Sequence, residues 1–197
     1  MNREELLKNA KPILFNTEMV QAILGDRKTV TRRVIKPQPI AGIRKSVFVP
    51  SGIEDGHGRE IKLLYKVGDI LYVRETFNNT ETDTVLYAAD KDFIDFYLFM
   101  ESEIKWKPSI HMPKAAARIF LKVTDVRIER LQEITVDGCR LEGCCCSDCL
   151  QTGPHSPDCK CDTLFHNVWN DINAKRGYGW EANPWVWVVE FERVEVV

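Results

Sequence analysis

The sequence has no long apolar run, little net charge and none of the common phosphate-loop or hydrolase signatures. No stretch reaches the roughly 18 apolar residues that a membrane span requires, and residues 1–5 lack the apolar core of a signal peptide. The formal net charge is −2 and the pI is about 6.1, which argues against bulk nucleic-acid binding. A Gly-rich phosphate loop, a Gly-x-Ser-x-Gly elbow and internal repeats are also missing. We therefore expect a cytoplasmic protein without membrane contact, in which any nucleic-acid contact is local.

The length and the apolar patterns favour one domain in which short helices lie between strands. A chain of 197 residues with 44% hydrophobic content can bury a single core, so we expect one domain over 1–197. Prolines and glycines mark a loop insertion at about 36–62. Helical spacing marks 17–24, 135–142 and 162–177, alternation marks 70–75, 85–88, 117–131 and 185–197, and 93–100 fits either a helix or a buried strand. Together these patterns predict an α+β fold, a small mixed β-barrel with short peripheral helices.

The segment from Gly25 to Arg33 is unusually rich in cations and hydroxyls. It follows a short apolar helix for which we expect Thr17 as the N-terminal cap and Gly25 as the left-handed closing residue. Residues 27–33 contain Arg27, Lys28, Thr29, Thr31, Arg32 and Arg33. Such a density of polar groups at a helix-to-strand junction predicts a site for an anionic or hydrogen-bond-rich ligand.

Several segments resemble the ASCH family of the PUA-like superfamily, especially the ASCH proteins of bacteriophages and prophages. The matching segments are Gly25-x-Arg27-Lys28-Thr29-x-Thr31-Arg32-Arg33, Val67 to Glu75, Leu131 to Gly143 and Asn183 to Val188. The resemblance spans 11–197 with insertions. It implies a five- or six-stranded barrel with a cleft beside the first helix, recognition of RNA or a nucleoside, and a bacterial or phage-encoded cytoplasmic protein.

The same resemblance implies a reactive set, because the family includes small amidohydrolases of N4-acetylcytidine. Matched residue by residue, their lysine, threonine and glutamate fall on Lys28, Thr31 and Glu142. A threonine hydroxyl becomes a nucleophile when a base such as a desolvated lysine removes its proton, and a carboxylate can orient the lysine or pass a proton to the leaving amine. In a regular strand Lys28 and Thr31 would face opposite sides, so this chemistry requires a bend.

Ligand binding without catalysis is the preferred interpretation, with RNA, a nucleotide or a nucleoside as the ligand. Lys28, Arg32 and Arg33 would hold phosphate while Thr31 donates to a base edge. Arg74 and Glu75 end a strand expected at the same cleft, although an ordinary surface ion pair explains them equally well. His111 lies between prolines and is either a ligand contact or a structural hydrogen-bonding residue. The predicted ligand-binding set is Arg27, Lys28, Thr29, Thr31, Arg32, Arg33, Arg74, Glu75 and His111.

The cysteines predict a metal site in an insertion at 144–161. Of seven cysteines, six lie between Cys144 and Cys161, which favours a metal over disulfides in a chain without a secretion signal. Cys146-x2-Cys149 and Cys159-x-Cys161 can form a tetrahedral thiolate set for structural zinc. Alternatives are free thiols, a disulfide or an iron–sulfur cluster, and a protein-interaction role of the zinc loop is a third functional hypothesis. Candidate substitute ligands are Cys144, Cys145 and His155.

Overall fold

The computed structural model describes residues 2–79, 84–90, 104–152 and 159–196, and the segment 93–100 lies outside these ranges. The helices are α1 (Arg3–Asn9), α2 (Thr17–Leu24), α3 (Val136–Leu141), α4 (Ser147–Thr152) and α5 (Cys161–Asn173). The strands are β1 (Lys11–Leu14), β2 (Val30–Val34), β3 (Ile43–Lys45), β4 (Ile53–Asp55), β5 (Ile70–Arg74), β6 (Phe77–Asn79), β7 (Val85–Tyr87), β8 (Phe120–Arg130) and β9 (Trp185–Val194). No helix in these ranges is both long enough and apolar enough to cross a membrane.

The fold is α+β and its main sheet is open, so the predicted closed barrel is wrong. Five strands are ordered β1-β5-β8-β9-β2, with β1 parallel to β5 and the pairs β5–β8 and β2–β9 antiparallel. A barrel requires its two edge strands to pair with each other, and in the described ranges β1 and β2 form no such ladder. The pairs β3–β4 and β6–β7 form separate two-stranded sheets.

The described residues divide into two compact units. The first unit comprises Met1–Thr29, Gly68–Val123 and Phe191–Val197. Its helix α1 buries Leu6, which packs with Tyr72 of β5, Phe77 of β6 and Phe120 of β8 in one apolar cluster. This cluster gives the short elements of the first unit a shared core, because none of them could bury an apolar face alone.

The second unit comprises Val30–Val67 and Thr124–Glu190. In α5 the residues Cys161, Phe165 and Trp169 are spaced four apart and are all buried, as the helical repeat requires of one inward face. In β9 the consecutive residues 186–189 are all buried, so both faces of this strand are covered. The helix and strand belong to one cluster with Leu131 and four of the cysteines.

Local chain chemistry around Gly25 differs from the prediction in two details. The side chain of Asn16, not Thr17, caps α2 by accepting from the Met19 amide. Gly25 has φ −89°, and the left-handed residue is Asp26 with φ 54°. The Lys28 amide donates to the Ala22 carbonyl and regular strand geometry begins only at Val30. The alternation rule that would place Lys28 and Thr31 on opposite faces therefore does not apply to this junction.

Candidate functional site

Four cysteines of the second unit form a cluster with the geometry of a metal centre. Cys146 precedes α4, Cys149 lies within it, Cys159 precedes α5 and Cys161 is its first residue. Their four sulfur atoms all lie within 4.8 Å of one another, with Sγ–Sγ distances of 3.4 Å for Cys149–Cys159 and 3.7 Å for Cys146–Cys161. Tetrahedral coordination with metal–sulfur bonds of about 2.3 Å places sulfur pairs about 3.8 Å apart. The predicted grouping of these four residues is confirmed, and the group could hold a metal ion.

The three residues predicted as substitute metal ligands are not part of this cluster as the structure describes it. Cys144 and Cys145 are half-buried and pack against the apolar cluster, outside the group of four. His155 lies outside the described residues. All seven cysteines are unbonded thiols, so the disulfide alternative is not observed.

The environment of the cysteine cluster is suited to thiolates that share a cation. Hydrogen bonds from the Lys160 and Cys149 amides lower the pKa of Cys146 to about 6. The neighbouring Cys159 thiol raises the pKa of Cys149 to about 11, and burial raises the pKa of Cys161. Crowded sulfurs thus resist ionising together unless a cation offsets their charge.

A second arrangement, also in the second unit, surrounds Arg32 of β2. The Arg32 side chain is 3% exposed, and its Nη1 donates to Glu142 Oε1 at 3.3 Å and its Nη2 to Glu129 Oε2 at 3.2 Å. Its Nε is buried without a hydrogen-bond partner among the described residues. Thr31, the preceding residue, is 3% exposed.

Glu142 is held in place by helix α3. The Thr135 side chain caps this helix by accepting from the Gly138 amide, and Glu142 is its C-terminal cap residue. Gly143 follows with φ 89°, a conformation that glycine adopts without strain. Glu142 is 4% exposed, so the end of the helix places a buried carboxylate next to Arg32.

The pairs around Arg32 extend into a larger set of charges. Burial lowers the pKa of Arg33, whereas the charges of Tyr65 and Glu142 raise it. On β8, Arg127 contacts Asp125, Glu129 and, across to β9, Glu190. We call this set the polar network: Arg32, Arg33, Asp125, Arg127, Glu129, Glu142 and Glu190. Three cations and four anions give it a formal charge of −1.

In the first unit, Lys28 and Glu75 are buried as well. Lys28 is 2% exposed and its Nζ lies 5.5 Å from the centroid of the Phe15 ring, a cation–π distance. Glu75 is 1% exposed and accepts two hydrogen bonds from Arg118, from Nε and Nη2, each at 3.0 Å. Arg118 also donates to Asp90 at 2.8 Å.

The other predicted residues of the first unit are not buried as Lys28 and Glu75 are. Arg74 does not pair with Glu75 but donates to the carbonyl oxygens of Ile110 and Met112. His111 is exposed in the short helix Ser109–His111, Arg27 is exposed and Thr29 is half-buried. The surface ion pair considered for Arg74 and Glu75 is therefore not present.

Sequence reasoning missed Arg118 and Glu129. Each is the partner of a predicted residue, Arg118 of Glu75 and Glu129 of Arg32. The available signal was position: Arg118 is the single charged residue in the run 115–121. Charge placed in such a run predicts a buried partner.

No family model, no curated protein and no solved structure matches the chain. The chain is therefore described by its own fold and site. The protein is an α+β chain with a five-stranded mixed sheet and a four-cysteine cluster that could bind a metal.

Proposed function

We propose that this protein is an ASCH-type, PUA-like protein that binds RNA, a nucleotide or a nucleoside through the segment 27–33. The observation that carries the proposal is the buried Arg32–Glu142 pair with an unpartnered Arg32 Nε. A buried donor without an acceptor costs roughly 1–3 kcal/mol, and a ligand oxygen or nitrogen would remove that cost. Buried donors and acceptors on a rigid strand and a capped helix end are typical of sites that read hydrogen-bonding edges.

Among the three ligand types, the charge balance favours the nucleoside moiety. Arg32 and Arg127 of the polar network already contact carboxylates, and the formal charge of the network is −1. A phosphate group would be repelled by that excess, whereas a neutral base or ribose would not. Arg32 and Glu142 can offer a donor and an acceptor to a neutral base edge.

Nucleoside binding is expected to depend on Thr31 and Glu142. By calorimetry, Thr31→Val and Glu142→Gln should each weaken binding of a ribonucleoside by about tenfold or more, because each removes one buried hydrogen-bonding function. Glu142→Gln keeps an oxygen for Arg32 and should fold normally. Glu181→Gln, an exposed carboxylate of the same unit, is the matched control and should bind as the unmodified protein does.

Two results would contradict this proposal. One is tighter and strongly salt-dependent binding of nucleoside monophosphates than of nucleosides, which would indicate that phosphate is held instead. The other is no measurable binding of any common ribonucleoside.

Amidohydrolysis is the second candidate, and each of the three residues that it requires is buried. Lys28, Thr31 and Glu142 are 2%, 3% and 4% exposed. In the reaction the Thr31 oxygen would attack the acyl carbon of N4-acetylcytidine, and its proton would pass to Lys28. That proton would then pass to the leaving amine, directly or through Glu142, as the C–N bond breaks and cytidine departs. Water would then release acetate from the acyl-threonine.

Turnover of N4-acetylcytidine should be abolished by Lys28→Ala and by Thr31→Ala. Chromatography would follow cytidine and acetate formation, and Lys8→Ala, an exposed lysine of α1, is the control. Absence of turnover by the unmodified protein, or turnover that survives Lys28→Ala, would remove this candidate for that substrate.

We also propose that the cysteine cluster binds zinc in a structural role. Four thiolate ligands with tetrahedral spacing suit zinc and leave no open coordination position. Three of the ligands, Cys146, Cys149 and Cys161, belong to the apolar cluster of the second unit. Zinc binding there would join the ends of α4 and α5 to that core.

A further inference from the structure

The segment 36–66 of the second unit includes the predicted loop insertion at about 36–62 and contains a hairpin of β3 and β4. Its strands pair Ile43 with Asp55 and Lys45 with Ile53. The Asp55 carboxylate is fully buried and accepts from the amides of Ile40, His57 and Arg59. Although burial acts in the opposite direction, these amides hold the pKa of Asp55 below its ordinary value. The hairpin is therefore a preformed element.

The tip of this hairpin exposes two apolar side chains that have no structural role in the second unit's core. Val47 is 92% exposed and Phe48 is 90% exposed. They border an open depression of about 700 Å³ whose other lining residues include Lys45, Ser46 and Glu54. An aromatic ring held in water on a hydrogen-bonded hairpin is a surface for a binding partner.

The charge of the same segment identifies the chemistry of that partner. Its six cations are Lys36, Arg44, Lys45, Arg59, Lys62 and Lys66, and all six are exposed. Its three anions are Glu54 and Asp55, both buried, and the half-buried Glu60. The segment thus carries +3 by this count, whereas the whole chain carries −2 and the remainder therefore −5. A local positive surface on an acidic chain is complementary to a polyanion.

Two of the acidic side chains within the segment form ion pairs with its two arginines. The Ser46 hydroxyl and Arg44 hold the pKa of Glu54 below its ordinary value, and Arg44 Nε contacts Glu54 Oε1 at 2.7 Å. Asp55 pairs with Arg59 at 2.9 Å from inside the hairpin. These pairs offset the charges of both arginines, so the net charge of +3 comes from the four lysines of the segment less Glu60.

We propose that this hairpin is a docking surface for single-stranded nucleic acid, with Phe48 stacking on a base and the cations contacting phosphates. One exposed aromatic ring flanked by cations is the repeating element of single-strand binding surfaces. A membrane surface fits less well, since only two apolar side chains project and membrane association grows with buried apolar area. This proposal rests on the proposed function, in which the protein binds a nucleoside through the segment 27–33. It adds a second surface, the hairpin, which would bind the strand that contains that nucleoside.

The test uses fluorescence anisotropy with a short labelled oligouridylate and the full chain. Phe48→Ser should weaken binding roughly 5- to 150-fold, the range for loss of one stacked base. Lys45→Gln should reduce the slope of log affinity against log salt by about 0.7, as loss of one phosphate contact to a single strand predicts. The matched controls are Ile110→Ser, 61% exposed in the first unit, and Lys8→Gln. Circular dichroism verifies that the variants fold. Phe48→Ser should not change the spectrum, because the Phe48 side chain is exposed.

Each alternative outcome overturns the proposal. Affinity for oligouridylate unchanged by Phe48→Ser, or reduced equally by Ile110→Ser, would show that the hairpin is not the contact. Binding of anionic phospholipid vesicles without binding of oligouridylate would assign the surface to a membrane, and a Phe48-dependent dimer would assign it to a second copy. Failure of this proposal is separable from failure of nucleoside binding, because Phe48→Ser should leave nucleoside affinity unchanged while Thr31→Val should not.

Discussion

Replacement of Cys161 by serine is expected to remove one equivalent of zinc and to lower the thermal unfolding midpoint by more than about 10 °C. Cys161 is fully buried at the start of α5, its Sγ lies 3.7 Å from that of Cys146, and it accepts a hydrogen bond from the Cys146 amide at 3.3 Å. Loss of one ligand in four leaves three thiols, two of them buried, crowded together without their cation. The effect should be large because the cluster and the core of the second unit share residues.

Elemental analysis and thermal denaturation together test this expectation. Cys144→Ser is the matched control, since Cys144 is a half-buried thiol in the same segment but outside the group of four. The control should retain the metal and most of the stability. Protein purified without chelators that contains no metal would contradict the zinc proposal. Full metal content in Cys161→Ser would instead show that the ligand set is different.

Arg118→Met is expected to destabilise the protein by about 3 kcal/mol, because it leaves the Glu75 carboxylate buried without its partner. Glu75 is 1% exposed and receives two hydrogen bonds from Arg118, whose guanidinium also lies 3.8 Å from the centroid of the Tyr87 ring. The value is at the lower end of the range for broken buried pairs because the Arg118 side chain is 28% exposed. Urea denaturation measures the change.

Two further variants distinguish the stability effect of the buried pair from that of an ordinary surface pair. Arg193→Met removes an exposed arginine that pairs with Asp26 at 3.4 Å in the same unit, and it should change stability by less than about 1 kcal/mol. The double variant Glu75→Leu with Arg118→Met removes both charges and should recover most of the loss. A double variant as unstable as Arg118→Met alone would contradict the electrostatic explanation.

The Arg118 variant should also acquire a distinct pH dependence. Burial raises the pKa of Glu75, and the hydrogen bonds and charge of Arg118 oppose that shift. Without Arg118 the folded-state pKa lies further above the unfolded value, so the folded protein binds the proton more tightly. Stability linked to this group is then fully present below the unfolded pKa and is lost as pH rises through the folded pKa. Urea denaturation at about pH 5 and about pH 8 measures this effect. Between these two pH values, the free energy of unfolding should fall more for Arg118→Met than for the unmodified protein.

The cysteine cluster shows what local spacing can predict. Cys146-x2-Cys149 and Cys159-x-Cys161 each bring two sulfurs close together within a few residues, so the grouping follows from short-range geometry. The same holds for the Thr135 cap and the Gly143 terminus that position Glu142. In such cases the neighbouring residues decide the conformation.

Contacts between distant segments were not predictable in this way. Glu75 and Arg118 are 43 residues apart, and Arg32 and Glu129 are 97 apart. A composition rich in prolines and glycines predicted a loop at 36–62, yet the buried Asp55 carboxylate organises a hairpin there. The prediction of a barrel failed for the same reason, because closure depends on which edge strands meet and no local pattern records that.

By itself, the sequence determined the α+β class, the four sulfurs that cluster and the helix end that carries Glu142, since spacing and capping act over a few residues. Only the tertiary structure decided that the sheet is open, that Arg118 neutralises Glu75 and that Arg32 meets two carboxylates. It also decided that Phe48 projects into solvent from a hairpin within a segment of net charge +3. The physical reason is that burial and charge pairing are set by the packing of segments far apart in the chain, whereas local patterns report only the preferences of each segment.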